Sequence, residues 1–173
     1  MNSDPIYQSF LDAQFKAARQ LAEQSDIVEI MPLPPFPSER YLLRFKCACL
    51  HGDSATSLSN GDQVLVGIAF PPDYLRNIDG GEVVTLLDPP DLFHPNVKAP
   101  FICVGDLSPG TGLIDLAHQV YEIITFQKRN TVHGLNPVAI EWTRNHLDRL
   151  PLDARPLRRP VRVDKPASQE VAS

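Results

Sequence analysis

Seventeen prolines in 173 residues constrain this chain before any hydrophobic pattern is considered. Proline cannot donate to a helix or a sheet ladder, and it pushes the residue before it toward extended backbone. The clusters at Pro32 to Pro37, Pro89 to Pro100 and Pro151 to Pro166 punctuate one domain and mark its tail, so regular elements must fit between them. From Ile6 to Gln24 the residues Phe10, Leu11, Ala13, Ala17, Ala18 and Leu21 recur at three- and four-residue spacing, with Lys16, Arg19 and Glu23 between them. This spacing predicts an amphipathic first helix. Asp26 to Met31 reads as a short strand and Pro32 to Pro37 as an extended connection.

Strict alternation follows. Tyr41, Leu43, Phe45, Cys47 and Cys49 lie on one face of Arg40 to Leu50, with Arg44 and Lys46 on the other, as in a half-buried antiparallel strand. A polar turn over 51–61 leads to a strand Gln63 to Phe70, and a Gly80-Gly81 break precedes a strand Glu82 to Leu87. The short connections predict an antiparallel meander. Leu113, Leu116, Ala117, Val120, Ile123, Ile124 and Phe126 mark a largely buried helix, Leu113 to Gln127. Asn136-Pro137 opens another, expected to reach Leu150 with Val138, Trp142 and Leu147 inward. The pattern is α+β, with the helices segregated from one sheet.

An apolar fraction of 43% suffices for the core of one domain, assigned to residues 1–150. Residues 151–173 lose apolar periodicity and read as a poorly packed Pro- and Arg-containing tail. A net charge of -5 argues against a nucleic-acid footprint, the local exception being Arg155, Arg158, Arg159 and Arg162. Three cysteines, no charged-then-apolar leader and no apolar run near about 18 residues point to a cytoplasmic, reduced setting without membrane insertion.

His94-Pro95-Asn96 followed by Cys103 is the segment with chemistry in it. A thiolate can hold an acyl group as a thioester, and turnover needs a donor to the oxyanion formed when an amine attacks. The asparagine amide is a neutral donor that does not titrate. Pro95 fixes its own φ and restricts His94, which limits the directions in which Asn96 leaves the turn. Cys47 and Cys49 lack further ligands at zinc spacing, and His51, His118 and His146 are scattered, so core packing is expected and no metal. No phosphate-binding glycine loop is present, and no cofactor is expected.

The segment from His94 to Cys103 resembles the active-site segment of ubiquitin-conjugating (E2-type) enzymes. Phe70-Pro71-Pro72-Asp73-Tyr74 is similar to that family's Phe-Pro-x-x-Tyr-Pro element, with Leu75 for the final proline. Gly134-Leu135-Asn136-Pro137-Val138-Ala139 is similar to the start of the helix after its active-site loop. The blocks keep the family's order over roughly residues 6 to 150. The resemblance implies a UBC-like fold: N-terminal helix, antiparallel β-meander, active-site segment, C-terminal helices. It implies an enzyme that accepts a ubiquitin-like protein from an E1-like activating enzyme as a Cys103 thioester and transfers it to an amine. Asn96 would donate to the oxyanion or brace the loop, and His94, Pro95 and Asn130 would support the site. His133 falls where many family members carry an acidic residue, so a neutral imidazole there would serve as base. Lys128-Arg129 would make that rim more basic than usual. Lys16 and Arg19 would face the E1, and Phe70, Ser108 and Pro109 an E3.

The Trp and the Asp-Pro-Asn-Pro loop of the family are missing, and the spacing from Asn96 to Cys103 is about one residue short. Such divergence is similar to that of prokaryotic E2-like proteins accompanying E1-like and JAB-type peptidase partners, including those of phage-defence operons. Two rivals remain: a catalytically silent E2 variant that binds a ubiquitin-like protein, and an unrelated cysteine hydrolase using Cys103 and His133.

Overall fold

The computed structural model describes residues 4–160. The first helix, α1 (Pro5–Gln24), starts where proline fits a helix, with the Asp4 side chain accepting from the Ile6 N–H. Tyr7, Leu11, Ala18 and Leu21 are its buried stripe, while Ala13, expected inward, is exposed. The strands are β1 (Val28–Pro32), β2 (Arg40–Phe45), β3 (Cys49–His51), β4 (Ser59–Gly61), β5 (Val64–Ala69), β6 (Val84–Asp88), β7 (Val97–Lys98) and β8 (Phe101–Ile102). Six of them form one antiparallel sheet in the order β1-β2-β5-β6-β8-β7, and β3 and β4 form a separate ribbon. The meander β1-β2-β5-β6 is the one predicted from alternation.

Helix α3 (Leu113–Ile124) packs with α1 and the inner residues Leu43, Phe45, Val64, Val66 and Ile68 into the main core. Phe45 stacks on Tyr121 of α3 at 6.1 Å between ring centroids. A smaller core of Leu50, Phe93, Phe126, Ala139 and Trp142 lies beneath α4 (Pro137–Asn145). Asn136 caps α4 by accepting from the Ala139 N–H at 3.1 Å.

Several expectations need correction. The strand expected to run to Leu50 stops at Phe45; Cys47 and Cys49 keep their inward side, yet Cys49 already belongs to the separate ribbon. The strand expected from Glu82 begins at Val84, after a helical turn α2 (Gly80–Val83) whose Asp79 cap accepts from the Gly81 N–H. Helix α4 ends at Asn145 and is followed by a 3-10 turn, Leu147–Arg149. Its inward residues are Ala139, Trp142 and Thr143, whereas Val138 and Leu147 are exposed. Trp142 is inward as expected, and the other inward positions, spaced i, i+3, i+4 with it, are a small residue and a threonine rather than Val138 and Leu147.

Residues 151–160 are not a loose tail. Leu157 is 2% exposed and belongs to the main core. Arg155 binds both carboxylate oxygens of the buried Asp153 and donates to the Lys46 carbonyl at 2.9 Å. Gln127 donates to the Asp153 carbonyl at 2.6 Å, and the Arg159 N–H to the Gln24 carbonyl at 2.8 Å. These partners satisfy an extended strap that has no backbone ladder of its own. The rest of the expected tail, 161–173, lies outside the described residues.

Candidate active site

The site begins with a proline-fixed turn. The Asn96 N–H donates to His94 Nδ1 at 2.9 Å, and the Val97 N–H to the His94 carbonyl at 3.0 Å. An Nδ1 that accepts places the proton of the neutral ring on Nε2. His94 is fully buried, its ring 4.4 Å from that of Phe126, and burial lowers its pKa from 6.5 to about 3, with Arg129 adding to the effect. The ring is therefore neutral and structural, and it moves no protons near neutral pH.

Asn96 joins three segments. Its main-chain carbonyl accepts from the Cys103 N–H at 2.8 Å, and its Nδ2 donates to the Cys103 carbonyl at 3.2 Å. Its Oδ1 accepts from the Asn130 N–H at 2.7 Å. The hairpin β7–β8 thus returns Cys103 to Asn96, and the loop after α3 is pinned over both. An amide nitrogen carries two hydrogens, so this bracing leaves one donor unassigned.

The loop after α3 is aimed by Phe126, a non-glycine residue at φ 58°. That left-handed turn ends the helix and sends 127–133 back across the site. Asn130 Oδ1 accepts from the Val132 and His133 N–H groups at 3.0 and 2.8 Å, closing a local turn. The Asn136 N–H donates to the Pro95 carbonyl at 3.1 Å. Between them, a Cβ on Gly134 would stand 2.4 Å from the Pro95 oxygen and 2.6 Å from the Asn130 oxygen. Only glycine permits this approach of loop to turn.

Cys103 is partly exposed and lines two cavities. One, of about 350 Å³, is walled by Asn96, Cys103, Val104, Gly105 and residues 128–132. The other, of about 250 Å³, is mostly apolar and is walled by Gly80, Gly81, residues 101–105 and Leu135. The first was foreshadowed by Asn96, Asn130 and Lys128-Arg129. Thr131 and the second cavity were missed, and only the Gly80-Gly81 pair hinted at an opening there.

The other expected site residues are distributed as follows. Pro95 holds the loop through its carbonyl. His133 is anchored by its backbone, but its side chain is exposed and it is not among the walls of either cavity. The structure does not bring this imidazole to the walls around Cys103. Lys16 and Arg19 are exposed on α1, and Ser108 and Pro109 on the loop before α3. Phe70 cannot be a partner contact as expected: it is 2% exposed, with its ring edge-on to those of Phe10 and Tyr74. Tyr74 is buried as well and donates to the Thr111 carbonyl at 2.7 Å. Cys47 and Cys49 pack in the core, where burial raises their thiols to about 12 and about 11. Among the described residues no helix is long and apolar enough to cross a membrane.

The fold and site define a mixed α+β protein with an N-terminal helix, a six-stranded antiparallel sheet and a partly exposed cysteine held by an asparagine. The chain matches no family model and no curated protein.

Proposed function

We propose that the protein is an E2-like conjugating enzyme of UBC-like fold that carries a ubiquitin-like protein on Cys103. The observation that supports this reading most is the reciprocal pairing of Asn96 with Cys103, a partly exposed cysteine in the wall of two cavities. In the first step the Cys103 thiolate attacks the thioester carbonyl of the modifier on an E1-like enzyme, and the E1 thiolate leaves. In the second an acceptor amine attacks the Cys103 thioester, a C–N bond forms, the C–S bond breaks, and the amine proton passes to water. Asn96 orients the segment and has an amide hydrogen left for the oxyanion. The hydrolase rival needs a histidine at the thiol, and no histidine walls either cavity.

Incubation with a cognate E1-like enzyme, ATP and the ubiquitin-like partner should give a reducible adduct that is absent from Cys103→Ala. No adduct with a competent E1 would sink the conjugating reading in favour of the silent binding module. An adduct that forms without E1 would point to the hydrolase.

A further inference from the structure

Resting on the conjugating reading, we infer that the cavity walled by Lys128 and Arg129 is an acceptor site for a peptide lysine flanked by Asp or Glu. The whole chain carries a net charge of -5, yet this cavity has two cations in its wall and no carboxylate. Among the described residues, neither cation is within ion-pair distance of an acidic side chain. Arg129 is already positioned, since its Nη1 donates to the Phe126 carbonyl at 2.7 Å. A third cation stands behind the wall, where the Arg144 guanidinium donates to the Thr131 carbonyl.

A lone lysine ammonium meets only like charge in this cavity, whereas a carboxylate next to it in the peptide has a guanidinium fork to bind. The carboxylate seats the segment, and the neighbouring lysine, once neutral, attacks the thioester: C–N forms, C–S breaks, and the proton goes to water. The second cavity that Cys103 lines has uncharged walls, which leaves the acyl chain of the modifier a route that avoids the cations.

The test loads Cys103 chemically, by exchange with the benzyl thioester of N-acetylglycine, so that no E1 is required. Transfer to three peptides, with a single lysine flanked by acidic, neutral or basic residues, is followed by mass spectrometry. Hydroxylamine cleavage reports the amount loaded. The acidic peptide should react about fivefold faster than the neutral one at low ionic strength, with the basic peptide slowest and the differences shrinking as salt is added. Lys128→Glu/Arg129→Glu should invert the order. Lys128→Glu alone should shrink it, and this side chain is exposed, so the variant tests the idea even where the double substitution disturbs the loop. Equal rates for the three peptides, or an order that charge reversal leaves in place, would overturn the acceptor site. Failure of E1-dependent charging with the order intact would instead remove the conjugating reading and leave a site for acyl transfer to acidic peptides.

Discussion

The segment from Phe45 to Cys49 and the segment from His94 to Cys103 both carry thiols beside short strands, and they distribute burial in opposite ways. In the first, Cys47 and Cys49 fill the core at 2% and 0% exposure. In the second, the neighbours are consumed instead: His94 and Asn96 are buried, and Cys103 is left lining two cavities. The contrast teaches that packing around Cys103 is supplied by side chains that also hold the loop, through His94 Nδ1 and the Asn96 amide, so that the thiol itself need not be part of the core. His94 Nε2 is buried without a partner among the described residues. Burying a thiol is favourable for packing but disfavours its reactive anion.

The largest expected effect is in thiol reactivity. Burial raises Cys47 from 9.0 to about 12 and Cys49 from 9.0 to about 11. At neutral pH that leaves them on the order of a thousandfold and a hundredfold less thiolate than an ordinary cysteine. Iodoacetamide on the native protein should therefore alkylate Cys103 alone, with the other two reacting only in denaturant, as peptide mapping would resolve. Alkylation of Cys47 at a rate comparable to Cys103 under native conditions would break the comparison.

A second test concerns what is buried in place of the Cys103 thiol. With its folded pKa at about 3 against 6.5 in the unfolded chain, His94 is neutral in the native state while the unfolded state takes up a proton. Its contribution to stability is complete above 6.5 and is lost as the pH falls toward 3. The slope should approach the one-proton limit of about 1.4 kcal/mol per pH unit, a loss on the order of 3 kcal/mol by about pH 4.5. Urea denaturation across this range should show that slope in the wild type and a flatter one in His94→Gln. Parallel curves would mean that the ring is not held neutral by burial.

Much of this arrangement is legible without coordinates, and the parts that are not have physical reasons. Alternation from Tyr41 to Cys49 reports the buried side correctly because a two-residue period survives the break after Phe45. The Leu113 to Phe126 stripe reports α3 because its inward positions are apolar and, apart from Ala117, large. The hairpin β7–β8 is invisible, since two-residue strands have no period. Phe70 lies in a motif that suggests a surface, but it continues the strand face of Val64, Val66 and Ile68, and the alternation that places it inward is the signal the structure follows. His133 depends on where a loop turns, and the decisive conformations, at Phe126 and at Gly134 against Pro95, are tertiary. The strap depends on Arg155 meeting the Lys46 carbonyl, a contact across 109 residues with no local signature.

That strap supplies the smallest and most selective perturbation of the comparison, because Asp153 and Arg155 both act on the Cys47 thiol. The Arg155 side chain holds the Asp153 carboxyl below its usual 3.8, against the opposing effect of burial. Arg155 is 60% exposed, so solvent screens much of the pair. Arg155→Gln should cost about 1 kcal/mol near neutral pH, by denaturant unfolding. A carboxyl depressed in the folded state stabilises above its unfolded pKa, so the gap between wild type and variant should be full above 3.8 and close as the pH falls through the lower folded value. The His94 slope is common to both proteins and cancels in the difference. Arg155 lowers the Cys47 thiol against the opposing Asp153, so its loss should leave native-state alkylation of Cys47 no faster than in the wild type, with that of Cys103 constant. A gap that persists after Asp153 is protonated would assign the effect to the hydrogen bond from Arg155 to the Lys46 carbonyl rather than to the ion pair.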